Sequence, residues 1–299
     1  MNGWCDRLSG GLGRRIVVGA PAFWLLLFFL VPFGIVFLVS LGEIRFGVPP
    51  YNPAFEWNGV VPSFVGSWDN YIFLTEDDLY WVAYVGSVRI ALVSTLLCLL
   101  IAYPMAYVIA RATPNIRTML LLLVILPFWT SSLLRIYALM GLLRQGGFIN
   151  TGLQWLGITD APIQMMQTDF AVYLTIVFTY LPLMVLPLYA ILEKLDGALL
   201  EAASDLGASR AQAFWTVTLP LSLPGILAGC LLVFIPAVGE FVIPDLMGSQ
   251  DSPMIGNVLW NEFTRNRDWP VASAVAIAML ALLVIPFMLL RNTGALRSN

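Results

Sequence analysis

The segment Glu201-Ala202-Ala203-Ser204-Asp205-Leu206-Gly207, followed after nine residues by Val217-Thr218-Leu219-Pro220, decides how the chain is read. It is a small-residue, partly charged stretch set between two strongly apolar blocks. Its residues predict two short helices. Asp196 is placed to cap the first, which carries Leu199, Leu200, Ala203 and Leu206 on neighbouring turns. Gly207 suits the position just past that helix, because it tolerates positive φ. Ser209, with Gln212 three residues on, has the spacing of a capping box for the second helix. Pro220 is expected to end it.

Working outward, the 299 residues are 59% hydrophobic and only 11% charged. A soluble domain carries about a quarter charged residues, so the composition describes an integral membrane protein. The net charge of −3 is too small to argue for a nucleic-acid or polyanion partner. The chain has no histidine, which removes zinc–histidine sites and Ser–His catalysis. Lys194 is the sole lysine and no Gly-rich loop precedes it, so the chain carries no P-loop. Cys5, Cys98 and Cys230 are scattered and read as small hydrophobes rather than as a disulfide or metal set.

Six apolar blocks, at about 16–41, 82–110, 118–143, 170–192, 221–243 and 271–290, are each long enough to cross a bilayer as a helix. The expected fold is all-α: six transmembrane helices in a single membrane domain over 1–299, with the loop at 196–220 outside the bilayer. Prolines interrupt several blocks, which neighbouring helices in a bundle tolerate. Residues 42–81 read as an extramembrane loop with room for short helices, 145–169 and 244–269 as further loops, and 111–117 as a tight turn. With both termini on one side, that side holds Arg7, Arg14, Arg15, Arg111, Arg117, Lys194, Arg210, Arg291 and Arg297. The other side holds Arg45, Arg144, Arg265 and Arg267. The positive-inside rule therefore puts both termini and the 196–220 loop in the cytoplasm. The outer loops are left acidic, as the same asymmetry requires.

Three ionisable residues fall inside apolar blocks, Arg89, Arg135 and Glu240, and each must face a bundle interior, a water-filled path or another charge. Arg89 is near enough to its span's outer end to snorkel. Arg135 and Glu240 are a candidate intramembrane ion pair. Glu240 lies in Ile235-Pro-Ala-Val-Gly-Glu-Phe-Val-Ile-Pro244, where two prolines and a glycine loosen the helix. A carboxylate beside freed carbonyls suits a cation, so Glu240 is equally a candidate pathway residue. Trp129, Tyr137 and Trp260 are candidate cation–π faces, although aromatics are also ordinary packing residues.

The spacing around Glu201 resembles the EAA loop of ABC-importer permeases: EAA, three residues, Gly, nine residues, then Ile-x-Leu-Pro, with Val217 at the Ile position. Over nearly its whole length the chain resembles permeases of bacterial polyamine importers of the putrescine type. The segments that carry this are Leu120-Leu-Leu-Leu-Val-Ile-Leu-Pro127, Val233–Pro244 and Arg267-Asp-Trp-Pro-Val-Ala-Ser-Ala-Val-Ala276. The resemblance implies a type I importer permease fold with cytoplasmic coupling helices, in a bacterial inner membrane. It implies a second homologous permease, two ATPase subunits that bind ATP and Mg, and a periplasmic binding protein that delivers a small cationic substrate. This chain would hold no cofactor. By the family pattern Glu201 contacts the ATPase groove, Ala202 and Ala203 permit close docking, Gly207 sets the bend, and Leu219-Pro220 closes the motif. The same loop occurs in permeases for spermidine, sulfate, molybdate and iron, which stay open as substrates. A gradient-driven secondary transporter is disfavoured by the loop and by the want of a visible inverted repeat.

Overall fold

The computed structural model describes residues 11–58, 61–249 and 252–292. Cys5, Arg7, Asp251 and Arg297 lie outside the described residues. The chain parts into two compact units, one of Met1–Asp77 with Leu259–Leu282, the other of Asp78–Val258 with Leu283–Asn299.

In the first unit, α1 (Gly11–Leu25) and α2 (Val31–Ser40) are joined by one wide π-helical turn at Leu26–Leu30. Pro32 has no N–H for the carbonyl one turn back, and the widened turn directly precedes it. The run stays helical, and Val17–Ser40 is long and apolar enough to cross a membrane. Its hydrophobic window buries nothing within the chain, so lipid or another subunit must cover it.

At the end of α2 the orphan carbonyls are satisfied by a side chain. Asn70, on α3 (Asp69–Glu76), donates through Nδ2 to the carbonyls of Ser40 and Gly42, each at 2.8 Å. The Ser40 hydroxyl donates to Phe37 and lies 2.7 Å from the Tyr71 hydroxyl. Burial raises the Tyr71 pKa, and the Ser40 hydrogen bond opposes that shift.

Between α2 and α3 lie two small antiparallel hairpins, β1 (Glu43–Ile44) with β2 (Tyr51–Asn52) and β3 (Phe55–Asn58) with β4 (Val61–Phe64). The strands were not expected, whereas α3 is a short helix of the kind read for this loop. The signal for the second was present: Asn58-Gly59, a dipeptide suited to tight hairpin turns, separates two aromatic-rich runs. Gly42 is required by a close approach, since a Cβ there would run into the Asn52 carbonyl.

The second unit is built on α4 (Asp78–Arg111), α5 (Pro114–Ile125), α6 (Ser132–Leu143), α7 (Phe148–Trp155) and α8 (Asp169–Leu192). After them come α9 (Gly197–Asp205), α10 (Arg210–Ala213), α11 (Leu219–Val238), α12 (Val242–Met247) and α13 (Ile255–Asn261). The final helix, α14 (Trp269–Asn292), follows a π-helical turn at Glu262–Asn266; that turn and α14 as far as Leu282 belong to the first unit, and the rest of α14 to the second. At 34 residues α4 is about 50 Å long at 1.5 Å per residue, well beyond the roughly 30 Å of a hydrocarbon core. Helices α4, α8 and α11 supply most of the core. One cluster gathers Ile90, Ile136, Ile176, Val238 and Met247, and another gathers Cys98, Ala102, Met184, Leu188 and Val233. Cys98 thus behaves as the small buried hydrophobe expected of it. Gly225 and Gly229 let α11 approach α8: a Cβ at 225 would meet the Pro187 carbonyl at 3.1 Å, and one at 229 the Met184 sulfur at 2.6 Å.

Four helices among the described residues pass the length and hydropathy needed to cross a membrane, Val17–Ser40, Asp78–Arg111, Asp169–Leu192 and Arg210–Val238. The continuous third span expected at 118–143 is corrected. It is a pair of helical arms, Pro114–Trp129 and Ser132–Trp155, bent by 94°. Pro127 tightens the end of the first arm into a 3-10 turn, and Thr130 and Ser131 are extended. The Thr130 hydroxyl takes up the Pro127 carbonyl at 2.6 Å. The helix of the last apolar block is described as an apolar stretch over Trp269–Val284.

Candidate functional site

The loop at 196–220 folds as its residues predict, with one exception. The Asp196 carboxylate accepts the Ala198 amide at 3.0 Å and caps α9. At the far end the Ala208 amide donates to the Ala203 carbonyl (3.0 Å) and the Gly207 amide to that of Ser204 (2.9 Å). This is the paired closure of a Schellman motif around Gly207 at φ +83°. Ser209 and Gln212 form the capping box, with the Gln212 amide 3.3 Å from the Ser209 hydroxyl and the Ser209 amide 2.8 Å from Gln212 Oε1. The exception is Pro220. It does not end the second helix but sits in the first turn of α11, directly after a widened turn, as Pro32 does in α2. A π-helical turn, Phe214–Thr218, carries α10 into α11 without a break, so Leu219 and Pro220 belong to the span.

The hairpin of helices leaves Glu201, Ala202, Leu206 and Gly207 exposed and Ala203 half-buried. Leu206 is 90% exposed and Trp215 65% exposed, so the turn presents apolar surface beside the Glu201 and Asp205 carboxylates. A groove between α9 and the α10 turn is lined by Tyr107, Glu201, Asp205, Arg210 and Phe214. Behind it Phe214 packs edge-on to Tyr103 (5.7 Å between centroids), and the Tyr103 hydroxyl meets Ser222 at 3.0 Å, fixing the loop to the end of α4. Nearby Arg117 joins three helix ends. It donates to Glu193 at 2.6 Å and to the carbonyls of Ala110 and Ala112 at 3.2 and 3.3 Å.

The second place of interest is the break between α11 and α12. Glu240 is there, past the helix end rather than within a loosened helix. One carboxylate oxygen accepts the Val242 amide at 3.1 Å and, at 3.5 Å, that of Ile243, so it caps α12. The other accepts the Tyr180 hydroxyl of α8 at 2.5 Å. The first turn of α13 presses close, since a Cβ on Gly256 would meet the carbonyls of Gly239 and Glu240 at 2.6 and 2.7 Å. Arg135, 9% exposed, does not form the candidate ion pair with Glu240. It donates to the Thr179 carbonyl at 3.3 Å and lies over the Phe128 ring at 5.7 Å. Tyr180, bonded to Glu240, directly follows Thr179, whose carbonyl Arg135 holds. Nothing in the sequence marked Tyr180, one aromatic among many in an apolar span.

Trp129 and Tyr137 are 82% and 55% exposed, and Trp260 43%. Arg89 is not merely snorkelling, for from within α4 it pairs at 2.7 Å with Asp169, the first residue of α8.

A family model for the binding-protein-dependent transport system inner membrane component matches residues 99–293. The spermidine/putrescine transport system permease protein PotB of Escherichia coli K12 is 47% identical over 222 residues, covering 74% of this chain and 80% of that protein. Its counterpart from Haemophilus influenzae is 42% identical over 272 residues, 91% of each chain. The molybdenum transport system permease protein ModB of Mycobacterium bovis is 31% identical over 70% of this chain. Among solved structures, the chain resembles one from a bacterial ABC transporter that imports the acidic polysaccharide alginate, with TM-score 0.66 over 98% of its length at 17% identity. It also resembles a chain of the alginate transporter in complex with an alginate-bound periplasmic protein, with TM-score 0.71 at 14% identity. These two likenesses concern the fold.

Proposed function

The chain belongs to the family of binding-protein-dependent transport system inner membrane components, and from that premise we propose that it is a permease subunit of an ATP-driven polyamine importer. The observation that carries the substrate class is the 42% identity, along 91% of both chains, to a permease named for spermidine and putrescine transport. The molybdenum permease is more distant and covers less of the chain. On this reading the helices form one permease domain with six spans, the two arms of the bent pair and α14 accounting for the third and sixth, and with both termini cytoplasmic. The bilayer holds it in the bacterial inner membrane.

The loop at 196–220 is the coupling element. Its cap, Schellman closure and capping box make a rigid two-helix hook, and its exposed Leu206 and Glu201 give a partner something apolar and something charged to hold. Glu201, Ala202, Ala203 and Gly207 dock on an ATPase subunit, and Leu219-Pro220 joins the hook to the span. ATP hydrolysis belongs to two such subunits. A second, homologous permease completes the path, and a periplasmic binding protein delivers the substrate. Glu240 serves the path as an anionic site for an ammonium group and also caps α12. The alternative reading, an importer of the same class for another substrate, is separated by one experiment. Cells lacking the gene are given labelled putrescine and spermidine at limiting concentration, with and without the gene restored. Restored uptake supports the polyamine reading; uptake indifferent to the gene removes it.

A further inference from the structure

Arg135 is the least comfortable side chain in the second unit. It carries a full charge at 9% exposure, its Nε is buried without a partner, and among the described residues it has no salt bridge. Its two attachments are weak ones, a carbonyl at 3.3 Å and a ring face at 5.7 Å. A buried guanidinium ordinarily takes a carboxylate and uses several of its five donors. The Thr179 hydroxyl beside it is also buried and unpartnered. Nearby stands Glu240, which spends one oxygen on the start of α12 and the other on the Tyr180 hydroxyl. Arg135 holds the carbonyl of Thr179, and the next residue, Tyr180, donates to Glu240, so consecutive residues of α8 engage the two opposite charges.

Arg135 is also placed to move. It lies in the first turn of α6, directly after the extended residues Thr130 and Ser131 at the 94° bend. A helix attached through such a break can swing on two residues without disturbing the arm before it.

We propose that Arg135 is an internal counter-ion that competes with the ammonium group of the substrate for Glu240. This rests on the polyamine reading of the site. Guanidinium and ammonium are both cationic donors, and the carboxylate holds one of them at a time once its other oxygen is committed to the α12 amides. In the state described here the Tyr180 hydroxyl holds that oxygen and keeps Arg135 from it, and an incoming ammonium takes the oxygen when the hydroxyl turns away. When α6 swings, Arg135 takes the same oxygen, pairs with Glu240 and expels the cation. The same pairing keeps the emptied path closed to small cations. Arg135 is therefore a positioning residue, acting on substrate through Glu240.

The test is equilibrium binding of labelled putrescine to the purified complex of both permeases and their ATPases, without the binding protein, in nanodiscs. The Arg135→Gln variant removes the competitor, and putrescine is expected to bind at least about fivefold more tightly and to leave more slowly. Arg135→Lys keeps a competing cation and should restore wild-type affinity. Glu240→Gln should lose binding in either background. An Arg135→Gln complex with unchanged or weaker affinity overturns the inference, as does the absence of putrescine binding to every variant. A merely structural arginine would lower the yield of complex without tightening its Kd. The uptake experiment above is independent. Gene-dependent putrescine uptake with no change in affinity on Arg135→Gln removes the counter-ion and leaves the importer standing.

Discussion

Arg117, in the first turn of α5, reaches Glu193 at the end of α8 with 2.6 Å between Nη1 and Oε1, while its other terminal nitrogen holds two carbonyls at the end of α4. The pair is partly screened, at 27% and 38% side-chain exposure, so the ionic part alone is worth no more than about 1 kcal/mol. Glu193→Gln is expected to lower the melting temperature by only a few degrees, whereas Arg117→Ala, which also frees the carbonyls, should cost about twice as much. Thermal melts of the detergent-solubilised permease compare the two, and equal losses would count against the carbonyl contacts.

Gly207 holds φ at +83°, with open space where a Cβ would be. The cost of substitution there is one of backbone alone, about 1–2 kcal/mol for an ordinary residue and less for Asn. Gly207→Asn should keep transport and Gly207→Val abolish it, with both proteins at normal level in the membrane. Immunoblots beside uptake assays read this, and a fully active Val variant would remove Gly207 from the coupling role.

Gly225 offers the converse case, where space and not dihedral decides. A Cβ at that position sits 3.1 Å from both the Pro187 carbonyl and the Ile191 side chain, so Gly225→Val must push α11 off α8. The expected loss is about 1–3 kcal/mol, seen as a lower melting temperature and poor recovery from membranes.

At Glu240 charge and shape can be parted. Glu240→Gln keeps an acceptor for the Val242 amide and should insert and assemble normally while uptake falls at least tenfold. Glu240→Ala loses the cap as well, at about 1 kcal/mol, and is expected to be less abundant too. Assembly lost in the Gln variant would make the carboxylate purely structural.

Asn70 joins α3 to the end of α2 through two carbonyls. Asn70→Ala strands both, and a loss of about 1–2 kcal/mol is expected, with faster protease cleavage between α2 and α3 as the readout.

What the sequence made legible was chiefly local. Asp196, Gly207 and Ser209 act within a few residues of themselves, and their caps form as spacing predicts. Pro220 was misread because a proline in the first turn of a helix looks, from sequence, the same as one just past the end of another. Pro127 was misread for the opposite reason. Prolines 182 and 187 are carried inside α8, but Pro127 breaks its block because extended Thr130 and Ser131 follow it. Pairings across the fold, Arg117 with Glu193 and Tyr180 with Glu240, were not legible, since no spacing rule links residues 76 and 60 positions apart.

The unbroken helical run Arg210–Val238 has a mechanical consequence. Its 29 residues make a rod about 43 Å long. One end carries the capping box of the loop, and the other stops two residues short of Glu240. If the rod tilts by about 10° around one end, the other travels about 7 Å, more than the width of a hydrated ammonium group. A modest tilt of the rod at its capping-box end is thus multiplied by length alone into a displacement of several ångströms beside the carboxylate.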